Sequence, residues 1–234
     1  MILENNKKGD FMAFDPSKFV VEEPKSIPVL LLLDTSGSMG GDKIKTLNQA
    51  VNIMIQSFKR AETAETFIKL GIITFGNGGV KLHTSLSEVS KVDNFEELVA
   101  NGGTPMGVAL EMAKKMIEDK EIFKGRDYRP AVVLISDGEP NDSWQKPMED
   151  FISTGRSSKC DRLAMAIGED ANRDVLNMFI NGTGNELLYA ENADAIIDNF
   201  KKITMSVTMR AKSTNKNATI NISENLDLDE LYNI

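Results

Sequence analysis

The chain has 234 residues, with 27 Lys and Arg against 35 Asp and Glu, which gives a formal net charge of −8. This length is sufficient for one large domain with a full hydrophobic core. Hydrophobic residues make up 41% and charged residues 26% of the chain, which is typical of globular domains and argues against intrinsic disorder. The acidic balance argues against nucleic-acid binding, because that function needs a clustered positive surface.

The single cysteine and the single histidine restrict the chemistry of the chain. Because Cys160 is the only cysteine, the sequence excludes an intramolecular disulfide and a zinc site built from several cysteines. Ser-His-Asp or Cys-His catalysis would need His83 as its base, and no nucleophile pairs with it recognisably. We predict that His83 is a surface or strand residue and that Cys160 is a half-buried small apolar residue rather than a redox centre.

Residues 1–27 are predicted to form an N-terminal extension. They are polar with scattered Phe and Val side chains, so we expect an edge strand or a clasp over the domain. This segment has no apolar stretch long enough for a signal peptide, and the longest apolar run, residues 29–33, is far shorter than a membrane span. We therefore expect a cytoplasmic protein with no membrane partner.

Strands and helices alternate from residue 28 onwards. The apolar run 29–33 predicts a strand buried on both faces, and apolar residues at three- and four-residue steps predict a helix over residues 44–58. The remaining predicted strands are residues 67–75, 80–86, 131–135, 163–167 and 187–190, and the remaining predicted helices are residues 105–118, 144–152, 174–180 and 193–209. This order predicts an α/β domain over residues 28–212, with a doubly wound, mostly parallel central sheet flanked by helices on both faces.

Residues 213–234 fall outside this alternation and are predicted to form a polar and then acidic C-terminal tail. A solvated, disordered tail is one interpretation. Docking onto the domain or a neighbouring molecule is favoured, because a purely solvating segment carries few apolar side chains. The apolar side chains near the end are Leu226, Leu228, Leu231, Tyr232 and Ile234.

Three loops rich in small and acidic residues lie at predicted element ends. Asp34-Thr35-Ser36-Gly37-Ser38 follows the strand 29–33, and Ser136-Asp137-Gly138-Glu139-Pro140 follows the strand 131–135. Gly102-Gly103-Thr104-Pro105 directly precedes a predicted helix. Because ligand sites of such sheets lie at the carboxyl ends of the strands, we expect the three loops to meet at one edge.

Together these loops offer oxygen ligands, with neither sulfur nor imidazole among them. Hard cations such as Mg²⁺, Mn²⁺ or Ca²⁺ prefer such ligands, whereas zinc and copper are disfavoured. Two carboxylates balance a divalent charge, and neutral hydroxyls fill part of the coordination shell without quenching the electrophilicity of the metal. The predicted metal ligands are Asp34, Ser36, Ser38, Thr104 and Asp137.

The segments LLLLDTSGSM, GGTP and LISDGEP resemble those of a von Willebrand factor A (VWA) domain with a metal-ion-dependent adhesion site (MIDAS). The resemblance covers roughly residues 28–210, and the most similar branch is that of the bacterial tellurium-resistance-associated VWA proteins. It implies that Ser36, Ser38 and Thr104 coordinate the metal through their hydroxyls. It also implies that Asp34 and Asp137 bind directly or through water, and that a partner's Asp or Glu carboxylate completes the shell. We therefore predict a non-enzymatic module that binds acidic side chains of partner proteins through a divalent cation.

Other interpretations of the same residues stay open. Ser36 or Ser38 can cap the following helix instead of binding a metal. A strand-end Asp also suits a Mg²⁺-dependent phosphoryl-transfer enzyme, but Ser36 stands where haloacid-dehalogenase-like phosphatases have a second Asp, and no Walker A sequence is present. A VWA subunit of an ATPase complex would differ from the favoured function only in its partner. Glu139 and Asp142 are predicted to be solvated loop residues.

Overall fold

The computed structural model describes residues 24–63, 66–76 and 78–218, which form one six-stranded sheet with α-helices on both faces. The strands are β1 (Lys25–Thr35), β2 (Thr66–Gly76), β3 (Gly79–Glu88), β4 (Ala131–Ser136), β5 (Asp161–Ile167) and β6 (Leu188–Ala190). The helices are α1 (Asp42–Ala61), α2 (Met106–Glu118), α3 (Gln145–Ser153), α4 (Arg173–Ile180) and α5 (Ala193–Lys212). Every predicted strand and helix is present, and the largest difference in bounds is at the start of β1.

The strand order of the sheet is β3-β2-β1-β4-β5-β6. Neighbouring strands are parallel except for β3, which pairs with β2 in the antiparallel direction. From β1 the chain adds β2 and β3 on one side of the sheet, and from β4 it adds β5 and β6 on the other side. The strand order therefore reverses between β1 and β4. The predicted fold class, a doubly wound and mostly parallel α/β sheet, is confirmed.

The apolar run of β1 is buried on both faces, as predicted. Leu31 and Leu33 belong to a core shared with α1 and α5, whereas Leu30 and Leu32 belong to a core shared with α2, α3 and α4. Successive side chains of a strand point to opposite faces, so one apolar run supplies both cores. In the part of the chain that the structure describes, no helix has the length and apolar character needed to cross a membrane.

The start of β1 corrects the predicted boundary of the N-terminal extension. Residues 25–27 lie in the central strand instead, paired in register with residues 66–68 of β2. The side chain of Ile27 is fully buried in the core shared with α1. The predicted edge strand or clasp falls on residues 1–23, which lie outside the described residues.

The start of the predicted C-terminal tail packs against the domain. Nε and Nη2 of Arg210 in α5 donate hydrogen bonds to the carbonyl oxygen of Lys216, at 3.3 and 3.2 Å, and the backbone N–H of Arg129 donates to Asn217 Oδ1 at 2.8 Å. Residues 213–218 therefore continue the domain. The segment predicted to dock, residues 223–234, lies outside the described residues.

Candidate metal centre

The predicted site lies where the strand order of the sheet reverses. After β1 the chain enters α1 on one face, and after β4 it enters α3 on the other face. Two loops that diverge in this way leave a crevice, which is the usual ligand position of an open α/β sheet. Asp34 is the penultimate residue of β1, and Asp137 directly follows β4.

Four of the five predicted ligands form one hydrogen-bonded cluster. The Oγ atoms of Ser36 and Ser38 lie 3.0 Å apart, and Ser38 Oγ donates to Asp137 Oδ1 at 2.7 Å. The backbone N–H of Ser36 donates to Asp34 Oδ1 at 2.8 Å, and Ser136 Oγ donates to Asp34 Oδ2 at 2.5 Å. The cluster thus includes Ser136, whose role the sequence analysis missed although it directly precedes Asp137.

The fifth predicted ligand, Thr104, borders the same space. An added Cβ on Gly138 would lie 3.7 Å from Ser38 Oγ and 4.0 Å from Thr104 Oγ1. Both hydroxyls therefore face the glycine that follows Asp137. Thr104 is only 6% exposed, so its hydroxyl lies in the crevice rather than in open solvent.

Main-chain hydrogen bonds hold the three loops together. Gly37 N–H donates to the carbonyl oxygen of Gly102 at 2.9 Å, and Asn101 N–H donates to that of Thr35 at 2.9 Å. Asn141 N–H donates to the carbonyl oxygen of Thr104 at 3.0 Å, which joins the loop after β4 to the loop before α2. The relative positions of the candidate ligands therefore depend on backbone contacts as well as on their own side chains.

The structure excludes the capping interpretation of the two serines. α1 begins at Asp42, and its N-cap residue, Gly41, has no side chain. Ser36 precedes a short 3₁₀ helix (Gly37–Met39) but makes no side-chain capping hydrogen bond to it. The hydroxyls of Ser36 and Ser38 point to each other and to Asp137 instead.

Asp34 is a fully buried carboxyl group at the centre of the cluster. Burial raises its pKa above the usual value of 3.8, because the ionised form loses hydration. Hydrogen bonds from Ser136 and Ser36 oppose this rise, and the nearby charge of Asp137 adds to it. A cation bound between the two carboxylates would offset both the lost hydration and the repulsion.

Lys43, in the first turn of α1, contacts the candidate site, and the sequence analysis did not single it out. Its Nζ lies 2.5 Å from Asp137 Oδ2, and the side chains are 34% and 0% exposed, respectively. The ion pair occupies the carboxylate oxygen that Ser38 leaves free. A charged residue in the first turn of a helix is usually solvated, so no pattern in the sequence distinguishes this lysine.

Asp142 was predicted to be a solvated loop residue, and the structure corrects this. Its Oδ1 and Oδ2 each accept a hydrogen bond at 3.0 Å, from the backbone N–H groups of Gly107 and Val108. These are unpaired donors of the first turn of α2, so Asp142 caps that helix from another loop. Glu139 accepts a hydrogen bond from Asn172 Nδ2 at 2.8 Å.

The lone cysteine and histidine lie apart from this cluster. Cys160 is 4% exposed, hence fully rather than half buried, and burial raises the pKa of its thiol to about 12. His83 is in β3, as predicted for a strand residue; its Nδ1 lies 3.0 Å from Thr84 Oγ1, and its ring packs on Phe95. Burial and the raised pKa give the Cys160 thiol the environment of an unreactive structural cysteine.

The candidate donors fit a small divalent cation. Adjacent ligands of an octahedral Mg²⁺ shell lie about 2.9 Å apart, because each Mg–O bond is about 2.0–2.1 Å long. The Ser36–Ser38 and Ser38–Asp137 separations, 3.0 and 2.7 Å, agree with that geometry. Among the described residues no three His, Cys, Asp or Glu side chains are grouped to hold a metal, so the candidate site combines its two carboxylates with neutral hydroxyl ligands.

The comparison with known families identifies the domain. Residues 29–203 match the family described as von Willebrand factor type A domain. The chain belongs to this family. VWA domains generally mediate protein–protein interactions, and the resemblance recognised in the three loops is confirmed at the level of the VWA domain.

Proteins from several organisms are similar to this chain. An uncharacterized protein of Methanocaldococcus jannaschii is 29% identical over 134 residues, which cover 55% of this chain and 28% of that protein. A von Willebrand factor type A structure from Catenulispora acidiphila has a TM-score of 0.60 and 17% identity, covering 80% of this chain and 43% of that one. Proximal thread matrix protein 1 from the mussel byssus, with a zinc-occupied MIDAS motif, has a TM-score of 0.60 and 14% identity, covering 78% and 48%. The chain thus spans less than half the length of each of these relatives.

Proposed function

We propose that this VWA domain is a non-enzymatic interaction module that binds acidic side chains of partner proteins through a divalent cation. The cation is Mg²⁺, or Mn²⁺ or Ca²⁺ in its place, and a carboxylate from an Asp or Glu of the partner completes its shell. The ligands supplied by this chain are Asp34, Ser36, Ser38, Thr104 and Asp137.

The cluster of hydroxyls and carboxylates at the strand-order reversal carries this proposal. Its two carboxylates can balance a divalent charge, and the serine and threonine oxygens add ligands without adding charge. A cation held in this way keeps its attraction for a further anionic oxygen. Since the crevice lies at an edge of the sheet, that oxygen can come from another protein.

The choice of cation follows from the donor set. Oxygen ligands favour hard cations, and the described residues near the site bring no thiolate or imidazole to it. The mussel protein carries zinc in the corresponding motif, so an ion of borderline softness is accepted by at least one VWA domain. Zinc therefore belongs beside magnesium, manganese and calcium in any binding experiment.

The burial of Asp34 supports a non-enzymatic function. The phosphorus of a substrate must be able to reach an aspartyl nucleophile, but Asp34 is 0% exposed. Each of its oxygens accepts one hydrogen bond and keeps a lone pair for a small cation. The nearby lysine, Lys43, contacts Asp137 rather than Asp34. These contacts suit a stationary metal ligand better than a reacting group.

The pathway is proposed on the sequence resemblance alone. That resemblance favours a cytoplasmic stress or tellurium-resistance-type signalling system. A VWA subunit of an ATPase complex would use the same site and differ only in the protein that supplies the carboxylate.

A peptide-binding experiment tests the proposal. An immobilised peptide with one Glu among neutral residues should retain the protein in Mg²⁺ and release it in EDTA, while the matching Gln peptide should not retain it. Asp137→Asn should abolish retention. Glu139→Gln, which removes the same charge from the same loop, should leave it unchanged. Equal retention in EDTA, or equal retention by the Gln peptide, would contradict the proposal.

A further inference from the structure

We propose that Lys43 is a tethered cation that competes with the divalent ion for Asp137 and thereby sets the ion concentration at which the site becomes competent to bind a partner. This inference rests on the proposed function, because it concerns the same cation site. It assigns an affinity-determining role to a residue outside the set of ligands.

The two oxygens of Asp137 face different neighbours. Oδ1 accepts the hydrogen bond from Ser38 Oγ, on the side of the hydroxyl cluster, and Oδ2 lies 2.5 Å from Lys43 Nζ. Asp137 is 0% exposed, so water does not separate the ammonium from the carboxylate. An ion bound at the hydroxyl cluster would therefore share this one carboxylate with a fixed positive charge.

Sharing a buried carboxylate weakens the binding of the divalent ion. Charges of the same sign on opposite oxygens of one carboxylate repel each other, and screening by solvent is weak at a buried group. With Lys43 in place, the charges of Asp34, Asp137 and Lys43 sum to minus one, although the two carboxylates alone would sum to minus two. Binding of the cation is thus coupled to displacement of the ammonium group.

A small cavity beside Lys43 provides room for the displaced ammonium. It has a volume of about 160 Å³, and its lining includes Lys43 itself, Gly168 after β5, and the carboxylate residues Asp42 and Glu191. An added Cβ on Gly168 would lie 3.5 Å from Lys43 Nζ. Because Gly168 has no side chain, only its main chain borders the ammonium where it faces the cavity. The carboxylate of Glu191 is the alternative counter-charge for the lysine when a metal takes Asp137, because that of Asp42 pairs with Lys45 at the surface.

Competition and simple structural support predict opposite changes in metal affinity. If Lys43 only stabilised the fold, its removal would lower stability and leave the affinity unchanged or weaker. If it competes, its removal lowers the stability of the metal-free protein, because Asp137 loses its partner, but strengthens metal binding. A loss of stability together with a gain of affinity is therefore the signature of competition.

Calorimetric titration of Mg²⁺ into Lys43→Met tests the competition. Methionine keeps the unbranched shape without the charge, and we expect at least about tenfold tighter Mg²⁺ binding than in the wild type. Arg60→Met is the control, because Arg60 is an exposed cation in the last turn of the same helix and does not line this cavity. The control should bind Mg²⁺ as the wild type does. In EDTA, Lys43→Met should unfold at a lower temperature than Arg60→Met.

Each outcome of this titration decides between the hypotheses. Equal or weaker Mg²⁺ binding by Lys43→Met, with the wild type binding normally, would overturn the competition and leave the proposed function intact. Absence of binding in both proteins would overturn both proposals. Lys43→Gln serves the same comparison if the methionine variant does not fold.

A double-mutant cycle tests the role of the cavity. Glu191→Gln should weaken Mg²⁺ binding in the wild-type background, because it removes a counter-charge from the displaced ammonium. In the Lys43→Met background no ammonium needs a new place, so the same substitution should have a clearly smaller effect. Equal effects in both backgrounds would show that Glu191 acts on the cation through its charge alone. The proposal that the Lys43 ammonium moves into this cavity would then be wrong.

Discussion

Asp34 couples the stability of the metal-free domain to pH. Its pKa is raised above 3.8, chiefly by burial, so the folded protein keeps a proton on this group that the unfolded chain has already released. Between 3.8 and the raised pKa, the free energy of unfolding therefore falls as the pH rises. Binding of a cation instead favours the ionised form of Asp34, because the metal needs the ionised carboxylate.

We expect Asp34→Asn to lose Mg²⁺ binding and this pH dependence together. Asparagine keeps an oxygen acceptor for Ser36 N–H but does not titrate. In EDTA, the free energy of unfolding of the variant should therefore rise relative to that of the wild type from about pH 4 up to the raised pKa of Asp34. Urea unfolding at several pH values measures the difference. A difference that stays constant over the whole range would contradict the raised pKa.

Cys160 should be unreactive in the folded protein. Its thiol has a pKa of about 12 and is 4% exposed, so both the thiolate and access are lacking near neutral pH. A chromogenic thiol reagent should react only as fast as the chain opens. Mg²⁺ should slow the reaction further, because the ion stabilises the folded state. Rapid labelling of the native protein would contradict the burial of this residue.

The predictability of individual residues depended on their position relative to strand ends. Asp34, Ser36 and Ser38 were predictable, because polar residues after a buried strand must lie at the ligand edge of a parallel sheet. Lys43 and Asp142 were not, because charged residues in a helix turn or loop have the same local pattern whether they are solvated or in contact. Their roles come from neighbours distant in sequence, Asp137 and Gly107.

At the scale of elements, α2 is held at the site by a cap from another loop. Asp142→Ala should lower the free energy of unfolding by about 1 kcal/mol, since two backbone donors of the first turn lose their acceptor. It should also weaken Mg²⁺ binding, because Thr104 lies just before α2. Glu139→Ala is the control from the same loop. Unchanged urea unfolding in Asp142→Ala would show that water replaces the cap.

The bounds of β1 show what hydropathy patterns miss. The apolar run starts at Val29, but the strand starts at Lys25 because β2 supplies paired residues from Thr66 onwards. The bounds of the helices were predicted more closely than those of β1, since the periodic apolar face of each helix extends almost to its ends. A strand end is thus determined by its neighbour as well as by its own residues.

At the scale of the whole molecule, the residues directly after α5 pack against the domain through Arg210 and Arg129. A protein ending at Lys212 loses the Lys216 carbonyl oxygen that accepts from the buried Arg210, whereas one ending at Ala218 keeps it. The shorter protein should therefore be less stable by about 1–3 kcal/mol. Urea unfolding of both proteins measures this difference, and equal stabilities would contradict it. Comparison of the longer one with the full chain tests whether residues 219–234 dock.

We propose that the two loops after β1 and β4 and the loop before α2 together hold one divalent cation. An anomalous difference map from crystals grown with Mn²⁺ tests it most directly. We predict one peak at bonding distance from the Ser36 and Ser38 hydroxyls, with Thr104 and the two carboxylates around it and the Lys43 ammonium moved away from Asp137. A map without a peak in this crevice at saturating Mn²⁺, with Lys43 still paired to Asp137, would contradict the account.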